Sequence, residues 1–146
     1  MEHCHLDINV HDVKHLFSVS VEYKFNKVEQ DVIYDEIHKL LELKVISVTE
    51  RLPRQIISPI FLWKKRNGEY RMVLNLEKFN FHISYIHFKM EDFELAVKLI
   101  NAGDYLASVD LRHAYYSVRI VEERRRFLCF TWQGVTYQFT CLPNGF

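Results

Sequence analysis

One carboxylate, Asp110, follows the nearly unbroken apolar run 105–109. The run predicts a central β-strand, and a carboxylate that ends a buried strand is costly unless something compensates its charge. A divalent cation such as Mg²⁺ is one compensator, because hard cations prefer carboxylate oxygens. The alternative is a capping residue that accepts N–H bonds from a short helix predicted over 112–118. The strand, Asp, helix pattern alone leaves both interpretations open.

Basic residues surround a predicted turn earlier in the chain. Three of them occupy 64–66, the turn is Asn67-Gly68, and Arg71 follows it. Asn-Gly is a strong hairpin signal because both residues tolerate positive φ, and segments 57–65 and 69–76 are rich in β-branched and aromatic residues. An antiparallel hairpin can bring Lys65 and Arg71 near each other as two donors for a triphosphate. The alternative is a solvated, charged hairpin tip.

Two further clusters carry weaker signals. The three arginines 124–126 follow two glutamates, and adjacent opposite charges favour a solvated turn over a phosphate track. The N-terminal segment offers zinc ligands without a closed Cys/His pattern, so its spacing favours no metal site. These candidate ligands are His3, Cys4, His5, His11 and His15.

The elements that must position these residues follow from hydrophobic periodicity. An apolar stripe predicts a helix over 28–44, followed by a short strand over 45–48. After the basic hairpin, a helix over 90–100 ends at Gly103, and a second hairpin folds around Gln133-Gly134 with strands 127–132 and 135–141. Residues 1–24 alternate weakly and suggest an edge strand. This order predicts an α+β fold with a mostly antiparallel sheet.

Composition and charge limit the class of protein that the sequence can encode. The chain has 146 residues, 49% hydrophobic and 26% charged, which is typical of one globular domain. Its formal net charge is +0, so nucleic acid would have to meet a local basic patch. Three scattered cysteines, no apolar run of spanning length and no N-terminal secretory pattern favour an intracellular protein of the cytoplasm or nucleus.

Three ordered blocks resemble one family. Segment 57–80, segment 108–118 around Asp110, and segment 137–146 with Leu142-Pro-Asn-Gly145 are similar to the fingers, the first catalytic block and the LPxG block of retrotransposon reverse transcriptases. The tyrosine-rich form is most similar to gypsy-like and especially DIRS-like elements. The resemblance runs from about residue 23 to the last residue. It favours the metal-ligand interpretation of Asp110 over the cap.

The resemblance implies an RNA-directed DNA polymerase that acts on a template–primer and dNTPs. Two Mg²⁺ ions would assist attack of the primer 3′-hydroxyl on the α-phosphate. It divides the chain into an N-terminal extension (1–24), a fingers-like region (25–103) and a partial palm (104–146). In the implied site, Asp110 and the Leu111 carbonyl would bind the metal. Lys65 or Lys64, Arg71 and the backbone of His113 and Ala114 would contact the triphosphate. Tyr115 would be the steric gate beside the sugar, and Asn144 would lie near the 3′ side of the nucleotide.

The chain also departs from the family pattern. Asn75 and His113 stand where Asp is usual, Arg119 stands where Pro is usual, and the 146 residues contain no YxDD hairpin. Asp110 alone cannot hold two metals, so we expect a truncated domain that is non-catalytic by itself and self-associates through an exposed edge at 135–141. The alternatives are a non-catalytic nucleic-acid- or protein-binding module, and an enzyme completed by another chain.

Overall fold

The computed structural model describes residues 8–9, 11–17, 23–84, 91–111 and 113–146. The described chain has an α+β fold with antiparallel sheets, as predicted. Its helices are α1 Lys27–Glu42, α2 Glu77–Asn80, α3 Phe93–Leu99 and α4 Glu122–Arg125, with 3-10 turns at Lys14–Leu16 and Ala114–Ser117. Its strands are β1 Ile46–Thr49, β2 Ile60–Lys64, β3 Tyr70–Leu74, β4 Cys129–Trp132 and β5 Val135–Phe139.

Helix α1 confirms the predicted amphipathic helix. It begins at a capping box, in which the Asn26 side chain accepts the Glu29 N–H and the Glu29 carboxylate accepts the Asn26 N–H, both at 2.9 Å. The face that carries Ile33, Ile37 and Leu40 is buried. The helix therefore supplies one wall of the core.

The basic hairpin forms as predicted, with β2 and β3 antiparallel. At its tip, Gly68 has φ +86° and donates its N–H to the Lys65 carbonyl at 3.0 Å. Ile60, Met72 and Leu74 alternate onto a buried face that joins the core cluster of α1. The opposite face carries exposed residues, among them Arg71 and, directly across from it, Trp63.

The second sheet corrects the predicted edge. Its order is β1-β5-β4, so β5 is the central strand and pairs on both sides. Ile46 lies opposite Phe139 on one side, and Cys129 lies opposite Gln138 on the other. The prediction of an unpaired edge at 135–141 is wrong, because short β1 covers it. The pair β1 and β5 also joins the two regions that were predicted to divide at 103, and that boundary stays a prediction.

The N-terminal segment contributes to the core. Most of the predicted edge strand lies outside the described residues, and the described part contains a 3-10 turn at Lys14–Leu16. Ile8, Val13 and Leu16 are buried in the core cluster. The weak hydrophobic alternation of residues 1–24 did not predict this packing. A short turn buries single side chains and leaves no regular hydrophobic spacing in the sequence. No helix among the described residues is long and apolar enough to cross a membrane.

The predicted strand 105–109 does not form. Residues 101–111 are all exposed and pair with no described strand, and Tyr105 and Val109 are almost entirely accessible. Helix α3, which confirms the core of the predicted helix 90–100, buries none of its residues. An apolar strand needs neighbours on both sides and both faces, and the described elements provide none. We call residues 93–111 the apolar arm.

The apolar arm predicts self-association of the isolated chain, because exposed apolar side chains beside unpaired backbone favour edge-to-edge contacts. A double variant, Leu106→Lys with Val109→Lys, should lower both dimer formation and binding of an apolar fluorescent dye. Sedimentation velocity and dye fluorescence measure these two quantities.

The matched control is Val28→Lys with Val48→Lys, two exposed valines on packed elements, at 64% and 61% accessibility. This pair should leave both readings unchanged. A strictly monomeric wild-type sample without dye binding would contradict the prediction.

Candidate nucleotide-binding site

A pocket of about 220 Å³ lies where three parts of the chain meet. Strand β3, the 3-10 turn Ala114–Ser117 and segment 142–146 each contribute to its wall. The structure thus brings together six of the predicted site residues and adds one that was not predicted, Tyr116. The lining residues are Arg71, Leu111, His113, Ala114, Tyr115, Tyr116 and Asn144.

Segment 142–146 is held against β3 by a close backbone approach. Gly145 has φ +110°, and a Cβ at this position would lie 2.2 Å from the Leu74 carbonyl oxygen. The Leu74 N–H donates to the Asn144 carbonyl at 3.3 Å, and the Asn80 side chain donates to the Gly145 carbonyl at 2.9 Å. Only glycine meets both demands. The block therefore fixes Asn144 beside the hairpin.

Three polar side chains form a chain of hydrogen bonds across the pocket. The Arg71 guanidinium donates to the amide oxygen of Asn144. The Asn144 amide nitrogen donates to the Tyr116 hydroxyl at 2.8 Å. Burial is the main cause that raises the pKa of Tyr116, so its hydroxyl stays protonated and neutral well above neutral pH. Within the described part of the chain, no acidic side chain lines this pocket.

The turn after Asp110 has an unusual start. His113 has φ +57° and ψ +41°, a left-handed conformation that is uncommon outside glycine. Its ring stacks on Tyr116 with centroids 5.4 Å apart and planes at 11°. Among the described residues, no backbone acceptor takes the N–H of Ala114 or Tyr115. Both residues line a pocket that also holds a guanidinium, an arrangement suited to an anion.

The lysines of the hairpin do not line the pocket. In the observed register Lys65 lies opposite Glu69, and its ammonium pairs with that carboxylate at 3.0 Å. Hydrogen bonds from Asn67 and then Lys65 lower the pKa of Glu69. The Lys64 ammonium lies 5.9 Å from the Tyr70 ring centroid. Lys65 is therefore paired with an acid, and the expected partnership with Arg71 is not formed.

Asp110 is exposed, and the cap alternative is wrong. The 3-10 turn begins at Ala114 with His113 at its N-cap, and no side chain caps it. Leu111 lines the pocket beside it. No group of three or more His, Cys, Asp or Glu side chains within the described ranges could hold a metal ion. Asp110 by itself does not fit a two-metal centre.

The weaker candidates find structural partners. Arg125 donates to the Ile120 carbonyl at 3.1 Å, and the Arg126 guanidinium lies 5.0 Å from the Phe127 ring, so the arginine cluster is half-buried and not a solvated turn. His15 contacts the His82 ring at 5.0 Å. Of the proposed zinc ligands, His3, Cys4 and His5 lie outside the described residues.

Two of the family departures also have visible roles. Arg119 donates to the Lys44 carbonyl at 3.3 Å and to the Thr140 hydroxyl at 3.1 Å, bridging the end of β5 to the end of α1. The Asn75 side-chain oxygen accepts the Glu77 N–H at 3.1 Å at the start of α2. Both substitutions are therefore accommodated by local hydrogen bonds.

Fold and sequence together define a reverse-transcriptase-like region related to viral polyproteins. No family model matches the chain. It is 32% identical over 89 residues to the Pro-Pol polyprotein of simian foamy virus type 1, covering 61% of this chain and 8% of that protein. It is 25% identical over 126 residues to the enzymatic polyprotein of cauliflower mosaic virus (strain Strasbourg), covering 84% of this chain and 18% of that protein.

Solved structures agree with this class. The crystal structure of the prototype foamy virus protease-reverse transcriptase superimposes with a TM-score of 0.71 at 26% identity, over 87% of this chain and 17% of that one. The foamy viral enzyme in complex with dsDNA gives 0.68 at 25% identity, over 87% and 26%. The predicted relationship to reverse transcriptases is confirmed at the level of this class. The gypsy-like or DIRS-like subtype stays a prediction.

Gly145 provides a direct test of how the pocket is assembled. Gly145→Ala should destabilise the fold by more than the ~1–3 kcal/mol of positive-φ strain, because the added methyl group meets the backbone carbonyl of Leu74. Urea unfolding measures the free energy of unfolding.

Gly134→Ala is the matched control, since Gly134 has φ +79° in the β4–β5 turn and nothing within 4 Å of an added Cβ. It should show the backbone strain alone. Equal losses of stability in the two variants would mean that the approach to Leu74 does not constrain the fold.

Proposed function

We propose that this chain is the nucleotide-binding part of an RNA-directed DNA polymerase of a gypsy-like or DIRS-like retroelement. The observation that carries the proposal is the convergence of Arg71, residues 113–115 and Asn144 on one pocket, which no acidic side chain of the described residues lines. The resemblance in sequence assigned these same positions to a dNTP. Geometry and resemblance thus point to the same ligand.

The pocket suits a triphosphate and its neighbouring sugar. At about 220 Å³ it is smaller than the roughly 300–1,000 Å³ of pockets that enclose whole ligands, so the base would lie outside it. Arg71 has five N–H donors and uses one side of its guanidinium on Asn144, which leaves others for phosphate oxygens. Tyr115, about half exposed, would stand beside the sugar as the steric gate, and Asn144 near its 3′ side.

The metal would be held by Asp110 with the Leu111 carbonyl. Bound Mg²⁺ would neutralise phosphate charge during nucleotidyl transfer. Because a two-metal centre needs further carboxylates, this 146-residue chain by itself is proposed to bind without catalysing. The chain spans 8% of the foamy virus polyprotein and 17% of the solved protease-reverse transcriptase.

A second candidate is a non-catalytic nucleic-acid-binding module. The hairpin 60–74 carries four basic residues and one acidic residue in a chain of net charge +0, and Trp63 on its outer face is 64% exposed. Related foamy viral structures were solved in complex with dsDNA and with an RNA/DNA hybrid. Phosphate contacts from such a hairpin would give salt-dependent binding with little sequence preference.

The triphosphate proposal predicts that Arg71 dominates binding of inorganic tripolyphosphate. Titration calorimetry at low salt should show weak binding to the wild type and at least a tenfold loss in Arg71→Glu, because the variant puts an acid into the pocket. Arg51→Glu, an exposed charge reversal outside the pocket, should change the affinity by less than about threefold through screened long-range charge alone. Equal losses of affinity in both variants would contradict the proposed site.

The two candidates share a second prediction, that the chain binds a primed template without extending it. Fluorescence anisotropy across a salt series should show binding whose affinity falls as salt rises. The slope of log affinity against log salt should become shallower by about one in Lys64→Glu or Arg66→Glu, because each variant removes one cation that can pair with a phosphate. No incorporation of nucleotides should accompany binding with Mg²⁺ or Mn²⁺.

Two outcomes of this experiment count against the candidates. Extension by the wild type that disappears in Asp110→Ala would overturn the non-catalytic part of the proposal. Salt-independent binding that is unaffected by both charge reversals would remove the nucleic-acid candidate.

A further inference from the structure

Tyr116 differs from its neighbour Tyr115 in exposure and in the partners of its side chain. Tyr115 is about half exposed, whereas Tyr116 is part-buried against the core, and its hydroxyl receives the Asn144 amide N–H at 2.8 Å. The His113 ring covers one face of Tyr116 at 5.4 Å. The resemblance in sequence assigned no role to this residue.

The hydrogen-bond chain can run in only one order. A guanidinium is a donor without acceptor atoms, so Asn144 must turn its amide oxygen toward Arg71. The amide nitrogen then points the other way and needs an acceptor. The Tyr116 hydroxyl is that acceptor, and a part-buried amide N–H without one is unfavourable.

The position of the Arg71 side chain depends on this series of hydrogen bonds. Its side chain stands on the exposed face of a two-stranded hairpin, where solvent would otherwise allow many rotamers. The bond to Asn144 selects one of them, and Asn144 is itself fixed at one end by its backbone bond to Leu74 and at the other by Tyr116.

We propose that Tyr116 is a positioning residue whose hydroxyl orients the Asn144 amide and thereby holds the Arg71 guanidinium over the pocket before an anion arrives. The effect on anion affinity rests on the proposed function, whereas the effect on the ligand-free protein does not. Pre-organisation of this kind raises affinity by removing the cost of ordering the side chain at binding.

The first experiment uses the ligand-free protein. Nitrogen-15 NMR should show that Tyr116→Phe shifts the Asn144 side-chain amide and the Arg71 guanidinium resonances and speeds exchange of the guanidinium protons. Tyr137→Phe is the matched control, because Tyr137 is buried and stacked on Phe130 at 5.1 Å in the β5 sheet. It should leave both signals in place. Unchanged Asn144 and Arg71 signals in Tyr116→Phe would overturn the proposal, whatever the protein binds.

The second experiment measures tripolyphosphate affinity in a double-mutant cycle. Tyr116→Phe should weaken binding about three- to tenfold, the range expected when one hydrogen bond is removed. In an Arg71→Lys background the same change should alter tripolyphosphate affinity by less than about twofold. Lysine lacks the planar guanidinium that can donate to Asn144 and to the anion at the same time. An affinity decrease of equal size in both backgrounds would show a general structural effect and would overturn the positioning role. If the wild type binds no tripolyphosphate, the proposed function fails while the NMR result still decides the role of Tyr116.

Discussion

The close approach of Gly145 to the Leu74 carbonyl holds segment 142–146 against β3 and so fixes one wall of the pocket. Segment 142–146 can lie on β3 only because residue 145 lacks a side chain and tolerates a φ of +110°. That approach brings the Asn144 backbone within hydrogen-bond distance of Leu74 and its side chain within reach of Arg71. It also seats Phe146 against Phe79, with ring centroids 6.5 Å apart. A site assembled from distant segments thus depends on one backbone-to-backbone contact.

The part of the fold that could be predicted is the part encoded locally. Helix α1 has its own apolar stripe and capping box, and both hairpins have a glycine in the turn that their strands require. The pairing of β1 with β5 could not be predicted, because a four-residue strand shows no preference for one partner over another. The run 105–109 has the composition of a buried strand, but conformation follows from available neighbours, and the described chain offers none.

The positions of the candidate site residues could be predicted from the sequence, whereas the contacts between these residues could not. Resemblance identified Arg71 and Asn144, yet the hydrogen bond between them joins residues that are 73 positions apart and follows only from the fold. Lys65, with Lys64 as the alternative, was assigned by the resemblance too, but the fold gives Lys65 the carboxylate of Glu69 as its partner. Tyr116 was missed because its neighbour carried the family role. The signal available was the Tyr-Tyr pair itself, since in a tight turn adjacent side chains diverge, and one of them turns inward.

The central place of β5 has a consequence for how the chain folds. Strand β1 is synthesised well before its partner, since Ile46 pairs with Phe139 much later in the sequence. Until then β1 must remain unpaired, and the hairpin β2–β3 can form alone in the interval. Non-local pairing of this kind slows folding, because the entropy of loop closure opposes it before the contact forms. The β4–β5 hairpin is local, so its docking onto β1 would be the step that completes the sheet.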